Sequence, residues 1–209
     1  MTTEPRRSPS MIRSYTPADA LTIANASCGT IAIFLCLDYM AFDNRWRLWL
    51  AIALLPAALV FDILDGHVAR LNPKRQSVLG ADLDSLSDVI SFAVSPAVLG
   101  YTLGLRGGWD MVCLTFFVAC GVSRLARFNV TAAQFTTGES GKVSHFEGTP
   151  IPTSILIVGL LALMLWSGHV QRDLWLGAVH IGPMLLHPLV LVYVLSGSAM
   201  ISTVRIPKP

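Results

Sequence analysis

The sequence predicts an all-α integral membrane protein of six transmembrane helices with both termini cytoplasmic, and three observations predict it. Of its 209 residues 53% are hydrophobic and only 13% charged, where a soluble domain carries about 25% charged residues. Apolar stretches near the ~20 residues needed to cross a bilayer recur along nearly the whole length, and mean hydropathy is +0.60. Basic residues gather at alternate ends of these stretches, and in a membrane protein that placement carries topology. A single transmembrane domain over 1–209 is expected, with 1–16 as a cytoplasmic N-terminal arm.

The apolar windows place the spans at roughly 17–38, 47–70, 80–104, 109–130, 150–169 and 175–202. Thr16-Pro17-Ala18-Asp19 opens the first with a hydroxyl at the N-cap, proline at the first helical position and an acid in the first turn. Arg6, Arg7 and Arg13 precede span one; Arg70, Lys74 and Arg75 follow span two; Arg124, Arg127 and Lys142 follow span four; Arg205 and Lys208 end the chain. The other connections hold Arg45 and Arg47 beside Asp38 and Asp43, then Arg106, then Arg172 beside Asp173. That asymmetry predicts an N-in, C-in orientation. Met1 to Ser14 is polar, with no apolar core or small-residue cleavage site, so it does not read as a signal peptide.

Some classes are excluded early. A net charge of +2 is too small for a nucleic-acid partner. Cys28, Cys36, Cys113 and Cys120 lie in apolar segments without C-x-x-C spacing and read as packing residues. The five histidines lack metal-ligand spacing and read as structural. Pro56 and Pro96 inside spans read as kinks, and the tryptophans near span ends as interface anchors.

The informative stretch is Asp62-Ile-Leu-Asp65-Gly66-His-Val-Ala69-Arg70, followed by Gly80-Ala-Asp-Leu-Asp84-Ser-Leu-Ser-Asp88. Asp62 and Asp65 are three residues apart and Asp84 and Asp88 four apart, so each pair lies along one helix face. A short connection containing Asn72-Pro73 makes the two helices antiparallel neighbours, which can bring the four carboxylates together. Partly removed from water, they repel one another unless protonated or neutralised. Hard oxygen ligands suit Mg²⁺, Mn²⁺ or Ca²⁺, and two metals ~3.5–4 Å apart suit displacement at phosphorus. Gly66, Ala69 and Gly80 permit close approach of a helix or a nucleotide, and Arg70 can offer its fork to a diphosphate. Asp82 lies off the Asp84/Asp88 face and reads as solvated.

Asp62-x-x-Asp65-Gly66-x-x-Ala69-Arg70, nine residues, then Gly80-x-x-x-Asp84-x-x-x-Asp88 resembles the complete signature of the CDP-alcohol phosphotransferase family. The resemblance implies a six-helix membrane fold that transfers a phosphate-linked lipid group from a CDP-activated donor to an alcohol, with Mg²⁺ or Mn²⁺, two ions, as cofactor. It implies that Asp62, Asp65 and Asp84 hold the metals, that Asp88 is metal-associated and the general base, and that Asn25, Asp62, Asp65, Gly66, Ala69, Arg70 and Gly80 border the CDP moiety; for Asn25 an interhelical hydrogen bond is the alternative role. A homodimer and a cytoplasm-facing site in a bacterial-type cytoplasmic membrane are expected from the same source and from the charge asymmetry.

Ser123-Arg124-Leu125-Ala126-Arg127-Phe128-Asn129 and Phe146-Glu147-Gly148-Thr149-Pro150-Ile151-Pro152 are similar to the phosphatidylserine synthase branch, as is the ending Ser202 to Lys208. Thr149 stands where leucine is usual. The branch implies CDP-diacylglycerol and L-serine as substrates. A serine site wants a cation for the carboxylate and an acceptor nearby, types that Arg124, Arg127, Asn129, Lys142 and Glu147 supply; anchoring at the helix end is the alternative role for the arginines. Glycerol 3-phosphate or inositol phosphate as acceptor would want a denser basic pocket. A membrane cation transporter is the rival from another class, and Arg70 beside the acids argues against it.

Overall fold

The computed structural model describes residues 16–71, 80–136, 145–171, 173–202 and 205–207, of which 131–136, 145–147 and 205–207 are described by their backbone alone. The Asn72-Pro73 connection, Lys74, Arg75, Lys142 and Arg172 fall outside these residues. The helices are α1 (Pro17–Phe42), α2 (Arg45–Leu71), α3 (Gly80–Asp88), α4 (Ser95–Leu103), α5 (Gly108–Thr136), α6 (Ile155–Trp166) and α7 (Leu191–Ile201). A wide π-helical turn, Val89–Val94, joins α3 to α4 in one continuous rod.

Helix α1 starts where the N-cap chemistry dictates. Thr16 Oγ1 accepts from the Asp19 amide at 3.3 Å and Asp19 Oδ2 accepts from the Thr16 amide at 2.7 Å, a reciprocal capping box with Pro17 at the first helical position. It ends at Asp43, whose left-handed backbone (φ 51°) lets its amide donate to Tyr39 O. Only Asp43 and Asn44 then separate α1 from α2, so the two lie side by side along their lengths.

Among the described residues, four helical segments are long and apolar enough to cross a bilayer: Pro17–Phe42, Arg45–Leu71, Gly80–Leu103 and Gly108–Val130. The third is 67% buried against 28–33% for the other three, so the α3–α4 rod runs through the middle of the bundle. Elsewhere large apolar side chains face outward, among them Phe34, Val60, Leu156 and Leu195. In water such a surface would aggregate; in a bilayer it is what lipid tails meet.

The fifth and sixth apolar segments are shorter than expected, Ile151–Trp166 and Pro188–Ile201. The expected span at 175–202 is corrected: Val179–Ile181 (β2) and Met184–Leu186 (β3) form an antiparallel hairpin before the helix begins. Hydropathy alone misses this because the segment is apolar, but Gly177 and Gly182 hold positive φ, and Pro183 and Pro188 lack the N–H a helix interior needs. The hairpin lies against the start of α5, where Trp109 Nε1 donates to Ile181 O at 3.0 Å. At the other end, His145–Glu147 (β1) pairs antiparallel with Arg205–Pro207 (β4).

The proline readings divide. Pro56 lies inside the unbroken α2, whereas Pro96 follows directly on the wide turn at the start of α4. All four cysteines are free thiols, three of them buried.

Candidate functional site

The last turns of α2 and the first turns of the central rod meet beside α1. Asp62, Asp84 and Asp88 each offer a carboxylate oxygen within 4.8 Å of the others, with Asp88 buried and the other two half-buried. Two helices supply these acids, and α1 fixes their separation because it packs against both. Its Asn25, fully buried, donates from Nδ2 to Asp88 Oδ1 at 3.4 Å, and its Thr22 donates from Oγ1 to Asp65 Oδ2 at 2.6 Å. Asp65 is therefore buried on a hydroxyl beside the three-carboxylate cluster and is not one of its members.

The seam between α1 and the rod is unusually close. Ser91 Oγ donates to Asn25 O and Ser95 Oγ to Gly29 O, each at 2.9 Å, and Ser95 also reaches Ile90 O at 2.7 Å. A Cβ on Gly29 would lie 2.6 Å from Ser91 Oγ and 2.9 Å from Ser91 Cα, so only glycine fits there. The wide turn begins directly after Asp88, a place where π-helical turns recur at functional sites. It sets the two serines against the α1 backbone and so holds Asp88 against Asn25.

Among the described residues, the last turn of α2 leaves room beside the carboxylates. A Cβ added to Gly66 would meet nothing nearer than Arg70 Nη2 at 3.9 Å. Ala69 is half-buried, Arg70 exposed, and Gly80, half-buried, opens α3. Asp82 is exposed, as its position off the acidic face predicted.

On α5, Arg124 is half-buried, within electrostatic range of Asp88 and Arg127, and its buried Nε has no hydrogen-bond partner among the described residues. Arg127 is exposed. Asn129 Oδ1 accepts from Ser85 Oγ at 3.1 Å, which ties α5 to the residue after Asp84. The structure thus brings Asn25, Asp62, Asp84, Asp88 and Arg124 into one neighbourhood, with Asp65 and Asn129 at its edges.

A profile of the CDP-alcohol phosphatidyltransferase family matches residues 15–201. The chain belongs to that family. It is 38% identical over 203 residues to the CDP-diacylglycerol–serine O-phosphatidyltransferase of Saccharomyces cerevisiae, covering 96% of this chain and 73% of the yeast protein. It is 36% identical over 156 residues to the enzyme of that name from Mycobacterium bovis, covering 72% of this chain and 50% of the relative. The archaetidylserine synthase of Methanothermobacter thermautotrophicus is 36% identical over 142 residues, 67% of this chain and 54% of the relative. The chain thus spans about half the length of the mycobacterial and archaeal proteins.

For a phosphatidyltransferase of this family the donor set fits a divalent cation. Three carboxylate oxygens at this separation repel strongly in a half-buried site, and hard oxygens are the ligands Mg²⁺ and Mn²⁺ prefer. Asn25 Oδ1, buried and without a hydrogen-bond partner among the described residues, adds a further oxygen beside Asp88.

Reading the sequence missed Thr22, Gly29, Ser91 and Ser95. A signal was present for two of them: Asp84, Asp88, Ser91 and Ser95 follow one another at spacings of four, three and four, a single helical face continuing into the membrane. Also missed was a second buried carboxylate, Asp110, at the opposite end of the bundle. Asp110 accepts from the Gly107 amide at 2.7 Å, from the His187 amide at 2.8 Å, and pairs with His187 Nδ1 at 2.5 Å.

Proposed function

We propose that this protein transfers the phosphatidyl group of CDP-diacylglycerol to the hydroxyl of L-serine and releases CMP, at the site formed by Asp62, Asp65, Asp84 and Asp88. The convergence of Asp62, Asp84 and Asp88 at one end of the bundle carries the reading. The acceptor is supported by what the relatives share: their names differ in the lipid, phosphatidyl or archaetidyl, and agree on serine.

Two bound Mg²⁺ or Mn²⁺ ions would neutralise the diphosphate, make the lipid-bearing phosphorus more electrophilic and stabilise the departing CMP. Asp62 and Asp84 would hold them with Asp88 beside them, and Asp65, outside the cluster and bonded through Oδ2 to Thr22, would join through its other carboxylate oxygen. Asn25, Gly66, Ala69 and Gly80 border the nucleotide, and the Arg70 guanidinium lies against the open face of Gly66, where it can fork onto the diphosphate. Asp88 takes the serine hydroxyl proton as that oxygen attacks in line. The new P–O bond forms as the bridging P–O bond to CMP breaks. Asn25 keeps the Asp88 carboxylate oriented through its amide. Arg124, Arg127, Asn129 and Lys142 serve the acceptor, with an arginine on the serine carboxylate.

The bundle end carrying the acids also carries Arg70, Arg124 and Arg127, which supports a site facing the cytoplasm in a bacterial-type cytoplasmic membrane. A homodimer is part of the same proposal and rests on family resemblance. The deciding experiment gives the purified protein CDP-diacylglycerol, Mg²⁺ or Mn²⁺, and competing labelled L-serine, glycerol 3-phosphate and inositol phosphate. Label in phosphatidylserine is expected; label confined to a phosphorylated headgroup would overturn the serine assignment.

A further inference from the structure

The chain after α7 returns to the site end of the bundle. Arg205–Pro207 pairs with His145–Glu147 in register, His145 opposite Pro207, Phe146 opposite Ile206 and Glu147 opposite Arg205. The junction that follows is tight. Gly148 holds φ +77°, and a Cβ there would lie 2.4 Å from Met200 O, so the chain passes over the end of α7 where only glycine fits. The Thr149 amide donates to Ala199 O at 3.2 Å, and Ser202 Oγ donates to the same carbonyl at 2.8 Å.

Immediately beyond lies the short 3₁₀ turn Ile151–Ser154, which packs against both the wide turn after Asp88 and α5. Ile151 is fully buried, and its Cδ1 lies 2.9 Å from where a Cβ on Gly121 would sit, one helical turn before Arg124. Ala93 of the wide turn flanks the same point. Ser154, also fully buried, has an Oγ with no hydrogen-bond partner among the described residues. A continuous line of contact therefore runs from the C-terminal strand, through Gly148 and the Ile151 side chain, to the wide turn that follows Asp88 and to α5, which carries Arg124.

We propose that the strand Arg205–Pro207 is a positioning element for the acceptor half of the active site. By pairing with His145–Glu147 it holds the Ile151–Ser154 turn against the wide turn and α5, and so fixes where Arg124 stands relative to Asp88. The donor half is built on α1, α2 and α3 and does not depend on it. This rests on the function proposed above, in which α5 serves the acceptor.

The test uses two variants of the full-length enzyme, a chain ending at Ser202 and Gly148→Ala, which disturbs the same junction without removing the tail. Intact enzyme is first run with competing acceptors, which by itself decides whether serine is used. KM for the acceptor that the intact enzyme uses, KM for CDP-diacylglycerol and melting temperature in detergent are then measured. Misplacing a binding group by about an ångström costs up to ~10²-fold, so the acceptor KM should rise about tenfold or more in both variants. Donor KM should stay within about twofold, and melting should change little. An unchanged acceptor KM in the truncated chain overturns the proposal. So does a parallel rise of both KM values with a lowered melting temperature, which marks general loosening. Failure of the serine reading shows only in the acceptor competition and leaves the strand test intact.

Discussion

The two ends of the bundle each bury aspartate, and they treat it in opposite ways. At one end Asp110 is fully buried and surrounded by donors: two amides and the His187 ring. Its bonds close on the protein itself, capping the start of α5 and clasping the segment that leads into α7. At the other end Asp62, Asp84 and Asp88 face one another, and the contact from Asn25 to Asp88 is long, at 3.4 Å. Asp110 is a structural carboxylate whose acceptors are satisfied. The cluster is an incomplete set whose charge calls for cations from outside.

The largest effect is expected at the incomplete end. Asp88→Asn keeps shape and most hydrogen-bonding capacity but removes the base, and general-base catalysis contributes ~10²–10⁴-fold. Turnover should collapse by at least that lower figure while CDP-lipid binding survives. Near-normal kcat across pH would hand the proton to another group.

At the satisfied end the consequence should fall on stability. Asp110→Ala leaves three buried donors without an acceptor, at about 1–3 kcal/mol for each group left unpaired. Melting temperature should drop, and CMP release per folded molecule should persist below the new transition. If turnover fell with no change in melting, the two ends would not be distinct.

The smallest effect concerns α5. Arg124→Lys keeps the charge but loses the planar fork, so serine KM should rise several-fold, in line with the ~0.5–1.5 kcal/mol net worth of one lost hydrogen bond, and donor KM should hold. An arginine that only anchors the helix end would leave both constants unchanged. Serinamide separates the same alternatives, because only a carboxylate site discriminates against it.

The comparison also explains what the sequence could and could not say. The meeting of Asp62, Asp84 and Asp88 was legible because a helix turns spacings of three and four into shared faces. The start of α1 was legible because capping is local chemistry. Asp110 and His187 were not, because they stand 77 residues apart and nothing in the local pattern of either points to the other. The hairpin at Val179–Leu186 was hidden by its hydropathy, which cannot tell an apolar strand pair from an apolar helix. The wide turn after Asp88 was hidden because its reason lies in α1: Gly29 lets Ser91 and Ser95 reach a neighbouring backbone.

Whether the Asp62, Asp84 and Asp88 cluster binds metal while Asp110 binds only the protein can be read directly from Mn²⁺ binding to the purified protein by electron paramagnetic resonance. Intact protein and Asp110→Ala, measured below its melting transition, should bind alike, and Asp84→Asn should bind at least ~10-fold more weakly, the lower end of the losses known for residues that support metal sites. Equal Mn²⁺ affinity in Asp84→Asn and intact protein would contradict the account.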